Sequence, residues 1–449
     1  MVHIAIIGGG IAGTSVASTL LSSSSSLRSC IKVDLFDQGR SGVGGRTSHR
    51  VNGTRRHWDH GCQFFRADTP RFKAMVQTWI QQGIAAEWDG VFTTDSPEAD
   101  FFGLPHCPPF YVGIGGIHTI PQRLLLDQNM AASGRLKVYT GHRVASMQRN
   151  DDTKKWTLFG TAGDAAFHDT PETTKTTEQP LLTLGHGYDA VVLTDVSSSF
   201  DAWHRASAGV PLDFAARVRT RAGARVPLFA CFIAFETPLP ISVSAASFAK
   251  DDRLWFAART KSKPGFSSDM DDCWTLVSTP DYAIQAIKDT PMQDPITGQF
   301  IPQSSDCLNV PGAQLEDAFR SILSRGGLGF DAIQGGGKVP KTTFLGAQRW
   351  GSAMPAHKHL NELSPTRQIL SGVVYDSGKG PLAPTTIVVQ EWNDGNDQNF
   401  IADNDQMLFQ AGDMVSMYTP GFEGAALSGI DLGEYLTKLL FGKGQMMEE

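Results

Sequence analysis

A short apolar run, Val2 to Ile7, stops abruptly at Gly8-Gly9-Gly10 and gives way to a helix-like stretch, Ile11 to Leu21. The spacing Gly8-x-Gly10-x-x-Gly13 is that of a strand–turn–helix built to meet phosphate. Gly8 permits the tight turn, Gly10 lets backbone N–H groups approach a pyrophosphate, and Gly13 lets the helix lie close on the sheet. The helix N-terminus adds about half a positive charge. Ile31 to Phe36 reads as a second strand ending at Asp37, 24 residues beyond Gly13. An acid at that point can take ribose hydroxyls and disfavours a 2′-phosphate, so FAD or NAD is expected before NADP. A solvated strand-end carboxylate is the plainer alternative for Asp37.

Composition narrows the rest. The chain has 449 residues and a formal charge of −7, with 39 basic against 46 acidic side chains. That length suggests about three structural units and a large core. Without clustered Lys and Arg, a nucleic-acid partner is not expected. The strongest apolar run, Val226 to Phe235, is too short to cross a membrane and contains Pro227, so a buried strand fits it. The N-terminus lacks a basic stretch before its apolar residues, which argues against a secretory signal. Six cysteines (30, 62, 107, 231, 273 and 307) form no C-x-x-C pair. Reduced thiols, and with them a cytoplasmic location, are expected; a missing organelle-targeting peptide is the alternative.

Along the chain, a helical pattern covers Arg71 to Gly83, and another helix is expected from Ile120 to about Met130. Short strands follow at Leu136–Tyr139, Val144–Met147, Trp156–Phe159 and Tyr188–Leu193, with a Thr-rich surface loop at Thr170 to Thr177. Further apolar runs at Val226–Phe235, Leu254–Ala258 and Trp274–Ser278 precede a helix at Leu315–Leu323. Pro/Gly/Asp-rich stretches at 289–312 and 374–406 read as long loops or insertions. The expected architecture is α/β: a Rossmann-like dinucleotide domain of the glutathione reductase/p-hydroxybenzoate hydroxylase type, with an α+β substrate domain on a mixed or antiparallel sheet. Residues 1–75, 134–196 and 405–449 are expected to form the first, and 76–133 with 197–404 the second.

Gly44-Gly45-Arg46 follows Asp37 at close range. A glycine pair admits backbone approach, and an Arg fork can chelate pyrophosphate. Near the C-terminus, Gly412-Asp413 follows the apolar run Met407–Phe409, and Gly421 to Gly429 opens a helix. Taken with Asp59-His-Gly-Cys-Gln63-Phe64-Phe65, Tyr111 to Pro121 and Gln348-Arg-Trp350, these segments resemble renalase-type FAD-dependent oxidoreductases of the flavin amine oxidase superfamily. The resemblance runs from residue 1 to about 195 and from about 340 to the end. It is weak in the middle, and the chain is longer than the family pattern, with insertions near 161–187, 289–312 and 374–406.

The resemblance implies non-covalent FAD and a soluble oxidoreductase. Gly8, Gly10, Ile11, Ala12, Gly13, Asp37, Gln38, Gly44, Gly45 and Arg46 would hold its dinucleotide part, with Val144 at adenine. Gln63 and Phe64, with Gly412, Asp413, Glu423, Gly424 and Ala425, would hold the flavin and ribityl chain. Phe65, Trp350 and Phe422 are candidates for the substrate pocket. The implied reaction oxidises 2- or 6-dihydro isomers of NAD(P)H to NAD(P)⁺ by hydride transfer to flavin N5, with molecular oxygen as acceptor giving hydrogen peroxide. Such a transfer needs geometry and a dry pocket, not a side-chain nucleophile, so no catalytic residue is assigned.

Three departures stand out. The lysine that related amine oxidases place near flavin N5 is not identified by any motif. Cys62 and Asp195 occupy positions where small or apolar residues are expected. Trp203-His-Arg-Ala-Ser207 has no mechanistic reading. Histidines 57, 60, 106 and 118 lack metal-binding spacing, so no metal is expected. Gly335-Gly-Gly337-Lys338 lacks the remaining features of a phosphate loop, and Gly113-x-Gly115-Gly116 lacks a preceding strand and acid. An amine or polyene oxidase on the same fold stays open, as does a non-catalytic binding protein like the Rab GDP-dissociation inhibitors.

Overall fold

The computed structural model describes residues 1–21, 30–95, 101, 109–126, 134–163, 181–195, 209–222, 224–288, 290–291, 301, 305–331, 338–356, 367–370, 373–376, 380–382, 398–418 and 420–441. The Thr-rich stretch, Gly335–Gly337, Trp203–Ser207 and most of the 374–406 insertion lie outside these residues.

Strand Val2–Ile7 occupies the middle of a six-stranded sheet because its side chains are apolar on both faces. It pairs in parallel with Ile31–Asp37 on one side, Val2 opposite Ile31, and with Ala190–Leu193 on the other, Ile4 opposite Ala190. Leu136–Thr140 and Leu408–Gln410 extend the sheet outward in parallel, and Ile401–Asp403 closes one edge antiparallel. Strand order therefore reverses beside the first strand, which opens a crevice at its carboxyl end.

Helices Ile11–Leu21 and Phe422–Phe441 cover one face, where Ile4, Ile6, Val16, Leu20, Leu432 and Leu436 form a shared core. They approach closely through glycine: a Cβ at Gly429 would lie 2.3 Å from the Ala12 carbonyl oxygen. The other face carries a three-stranded antiparallel sheet, His142–Arg149, Trp156–Ala162 and Leu182–Tyr188, together with helix Leu212–Ala222. Phe36, Trp156, Leu158, Tyr188 and Phe214 fill the space between.

A second six-stranded sheet runs in the order Thr342–Ala356, Ala224–Phe235, Asp272–Ser278, Leu254–Arg259, Ala245–Ser247, Phe92–Thr94. All neighbours are antiparallel except the last pair. Strand Ala224–Phe235 shows the two-residue period: Phe229, Cys231, Ile233 and Phe235 face helices Pro280–Ile287 and Asp306–Ser324, while Phe232 and Ala234 meet Trp58 on the other face. The chain is thus a mixed α/β protein with a Rossmann-like unit and additional sheets.

Four sequence expectations change, one being that the 374–406 stretch read as a loop holds strand residues at 374–376, Gly380–Leu382 and Ile401–Asp403 among those described, the last as an edge of the first sheet. Tyr188–Leu193 is two strands in different sheets, because Asp189 turns the corner: its N–H donates to the His3 carbonyl at 2.7 Å and its carboxylate accepts the His3 N–H at 2.9 Å. The end of the 289–312 stretch is helical from Asp306, although it contains Pro311. Pro311 and Gly312 are buried there, and a Cβ at Gly312 would sit 3.3 Å from the Ala347 Cβ, so packing on the sheet overrides poor helix propensity. The helix expected to reach Met130 spans Thr119–Leu125, and 127–133 lie outside the described residues.

The contact between the two long helices makes a direct prediction. Gly429→Val forces side-chain atoms into the Ala12 backbone and is expected to cost about 1–3 kcal/mol. Urea unfolding followed by circular dichroism measures it, as a lowered midpoint at unchanged slope.

Candidate functional site

The carboxyl end of the first strand is where the sequence motifs converge. Gly8 has φ +105°, open to glycine alone, and its N–H donates to the Phe36 carbonyl at 2.8 Å. Helix Ile11–Leu21 starts at once, with the Thr14 N–H on the Gly10 carbonyl at 3.0 Å; Ile11, Ala12 and Gly13 are buried. A Cβ on Gly45 would lie 3.4 Å from the Gly10 Cα, so the Gly44-Gly45-Arg46 loop stands directly against the first glycine turn.

Asp37 is not a solvated strand end. It is buried, and its two oxygens accept the N–H groups of Gly9 at 2.7 Å and Gly39 at 2.6 Å. Burial lifts its pKa above the ordinary carboxylate value against the pull of those two bonds. Gln38, the next residue, is exposed.

Arg46 and Asp413 meet as a bidentate pair. Arg46 Nη1 donates to Asp413 at 2.9 Å and to the Ala353 carbonyl at 3.0 Å, while Asp413 also accepts the Gly421 N–H at 3.1 Å. Gly412 has φ +131° and donates to the Ser428 hydroxyl at 2.9 Å. Helix Phe422–Phe441 begins next to this pair, and its first turn offers N–H groups without intrahelical partners. Gly424 and Ala425 are buried in that turn. The Glu423 carboxylate points elsewhere, accepting the backbone N–H groups of Asp68 at 2.7 Å and Thr69 at 2.9 Å where helix Pro70–Gln81 starts.

The 59–65 segment threads between the Arg46 loop and the second sheet. The Cys62 N–H donates to the Arg46 carbonyl at 2.7 Å, and the Cys62 thiol donates to the Phe64 carbonyl at 3.1 Å. Burial pushes that thiol up to about 12, so it stays protonated and is no nucleophile. Asp195 is exposed at the end of its strand. Phe64 packs among Trp88, Phe101, Phe110 and Phe256. Phe65 and Phe422 stack on one another at 4.2 Å, with Phe72 and Trp79 around them. Trp350 is not part of that stack; its indole N–H donates to the His60 carbonyl at 2.8 Å and its ring lies against the His60 imidazole. Val144 lies on the three-stranded sheet, opposite Gly160.

Folding also gathers groups that no sequence spacing relates. Lys263 and Asp59, 3% and 1% exposed, form an ion pair at 2.8 Å. Lys263 donates to the Gln63 side-chain oxygen at 3.3 Å and lies over the Trp88 ring at 5.3 Å. The other Asp59 oxygen accepts from His49 Nδ1 at 2.9 Å and the Ile117 N–H at 3.0 Å. Burial alone would raise Asp59; Lys263 and His49 hold it well below the carboxylate range. His49, Asp59 and His118 offer ligand atoms within 4.8 Å of one another. Lys263 already neutralises the carboxylate, and a divalent cation would face that ammonium directly. The chemistry is that of a charge network. Lys263 was missed because the hairpin carrying Asp59 and the turn carrying Lys263 are about 200 residues apart.

Residues 6–79 match a family model described as an NAD(P)-binding Rossmann-like domain. Over the whole chain the structure is similar to a candidate protoporphyrinogen oxidase from Exiguobacterium sp. 255-15, with TM-score 0.54 at 11% identity, covering 97% of this chain and 98% of that one. It also aligns with p-nitrophenol 4-monooxygenase from Pseudomonas putida DLL-E4, at TM-score 0.43 and 12% identity over 99% and 81% of the two chains. A flavoprotein/dehydrogenase from Cytophaga hutchinsonii aligns at 0.43 and 10% identity over 98% and 79%. The first of these likenesses carries a shared fold.

His60 gives a test of the buried surroundings. Its Nδ1 has no hydrogen-bond partner among the described residues, and burial, with the Arg50 charge, pushes its pKa from 6.5 down to about 4. Between those values the unfolded chain binds the proton and the folded chain does not, so stability falls as pH drops from 6.5 toward 4. His60→Phe keeps a ring against Trp350 and is expected to flatten that slope, read as unfolding midpoints across the window.

Proposed function

We propose that the chain is an FAD-dependent oxidoreductase whose substrate is a small, flat, reduced molecule, most specifically a 2- or 6-dihydro isomer of NAD(P)H. The observation that carries this reading is the meeting of Arg46 and Asp413, 367 positions apart, beside the Gly8–Gly13 turn. The residues fit the group. The glycine turn and Arg46 would take the pyrophosphate, Asp37 and Gln38 the ribose edge, and Val144 the adenine. Asp413 and the free first-turn N–H groups of Phe422 to Gly424, with Ala425 packed behind them, would face the ribityl chain and the flavin C2=O edge. Gln63 and Phe64 would lie at the ring system.

Non-covalently bound FAD would supply a hydride acceptor there, with molecular oxygen as the final acceptor. The chain's own part is positional. The aromatic cluster around Phe64 excludes water, and Lys263 holds the Gln63 side chain in place. In this reading the parallel-sheet unit holds the cofactor and the antiparallel sheet shapes the substrate side. No helix among the described residues is long and apolar enough to cross a membrane. One observation favours an amine as the alternative substrate: a buried lysine, Lys263, stands beside Gln63.

The test is anaerobic bleaching of the purified protein. Flavin absorption is expected, and equilibrated NADH containing trace dihydro isomers is expected to bleach it while fresh NADH does not. Bleaching by amines alone, or by protoporphyrinogen alone, replaces the substrate assignment; no flavin uptake on reconstitution removes the oxidoreductase reading. Arg46→Ala is expected to weaken FAD retention by about 1.5–3 kcal/mol, the worth of a charge-assisted bond. Unchanged FAD affinity by equilibrium dialysis contradicts that role.

A further inference from the structure

Among the described polar groups, one set forms a continuous chain from the surface to the interior. His57 is half-buried on the strand Arg56–Asp59. Its Nδ1 lies 3.2 Å from Nε2 of His49, whose Nδ1 lies 2.9 Å from the Asp59 carboxylate. Asp59 in turn holds Lys263 at 2.8 Å, and Lys263 reaches Gln63 at 3.3 Å. The His49 side chain is 3% exposed, so each link beyond His57 is sealed from water.

The surroundings fix this order. His49 is clasped between the rings of His118 at 4.5 Å and Phe266 at 5.8 Å. Gly116, at φ +120°, closes over it; a Cβ there would fall 2.9 Å from His49 Nδ1. Asp59, His57 and His118 are the titratable groups that face it. Burial pushes His118 down to about 4, and Cys62 beside Lys263 is held as a thiol. Neither offers a competing proton at neutral pH.

We propose that His57, His49 and Asp59 form a proton path from solvent to the buried Lys263 ammonium beside Gln63. His57 passes its Nδ1 proton to His49 Nε2, and His49 passes its Nδ1 proton to Asp59. Once Lys263 has given up its own proton, the Asp59 carboxyl group turns so that the O–H formed at Oδ1 faces Lys263 Nζ, and that O–H breaks as the new N–H forms. One proton enters from water at His57 and one leaves at Lys263; only N–H and O–H bonds form and break. The need for such delivery rests on the proposed function. Oxidation of a neutral dihydronicotinamide by oxygen consumes one proton as it yields the nicotinamide cation and hydrogen peroxide. A sealed site must receive that proton through the protein. His57, His49 and Asp59 act through Lys263 and are relay residues, not catalytic ones.

The test reads hydrogen exchange of the Lys263 ammonium with water, by NMR of the purified full-length protein labelled with ¹⁵N-lysine, without substrate. The signal is assigned by its loss in Lys263→Arg, which keeps the charge. His49→Phe keeps a ring in the stack and removes both nitrogens; His57→Ala changes only the half-buried entrance. Each is expected to slow exchange about tenfold or more at unchanged circular dichroism. Added imidazole is expected to restore exchange in His57→Ala and not in His49→Phe, which a merely structural role would not produce. Unchanged exchange in both variants overturns the path, and so does failure of imidazole to act on His57→Ala. Slowed exchange in a protein that does not oxidise dihydronicotinamides upholds the path and removes only the substrate reading.

Discussion

A buried carboxylate, Asp59, ties the N-terminal hairpin to the second sheet. Asp59 ends a strand of the N-terminal hairpin, and Lys263 follows a turn of the second sheet; their ion pair crosses the seam. The Asp59 backbone carbonyl takes the Thr275 hydroxyl at 2.9 Å and the Gln63 amide as well, and its carboxylate takes the Ile117 N–H. Desolvating two charges is costly, and their attraction offsets the cost only when every remaining lone pair is satisfied. Here the carboxylate accepts from His49, Ile117 and Lys263, and the ammonium also donates to Gln63, so the position of segment 59–65 is fixed by electrostatics as well as by packing. Removing either partner alone would leave the other charge stranded in the interior.

The same logic of close approach governs the crevice at the end of the first strand. Glycines at 8, 10, 13 and 45 let three backbone segments come together at the end of one strand, and Gly429 lets the last helix lie on the first. Arg46 and Asp413 then place opposite charges at the crevice. Each is satisfied by the other and by backbone, through Ala353 and Gly421, so the pair is organised before any ligand enters.

How much of this was legible depended on distance along the chain. The strand–turn–helix at residues 2–21 and the acid at 37 could be read directly, because turn chemistry and hydrophobic period act locally. The boundary between the two strands meeting at Asp189 could not: Tyr188 and Ala190 are both buried, and only a polar corner held by His3 separates them. Pro311 suggested a loop where burial against the sheet gave a helix. Glu423 was read as facing the cofactor from its place in a motif, yet its carboxylate caps Asp68 and Thr69. The Lys263–Asp59–His49 network had no local signal at all. Its members come from separate elements, and their spacing in sequence carries no period that would connect them.

The close seating of helix Phe422–Phe441 on helix Ile11–Leu21 also bears on how the chain is made. The first strand–helix unit leaves the ribosome about 400 residues before the helix that packs on Val16 and Leu20. At roughly 5–20 residues per second, more than 400 residues of delay amount to about 20–80 seconds. During that interval the apolar flank of the glycine helix has no permanent cover. A protein arranged this way exposes the apolar flank of its glycine-turn helix to premature association, and makes it depend on chaperone contact, for that interval.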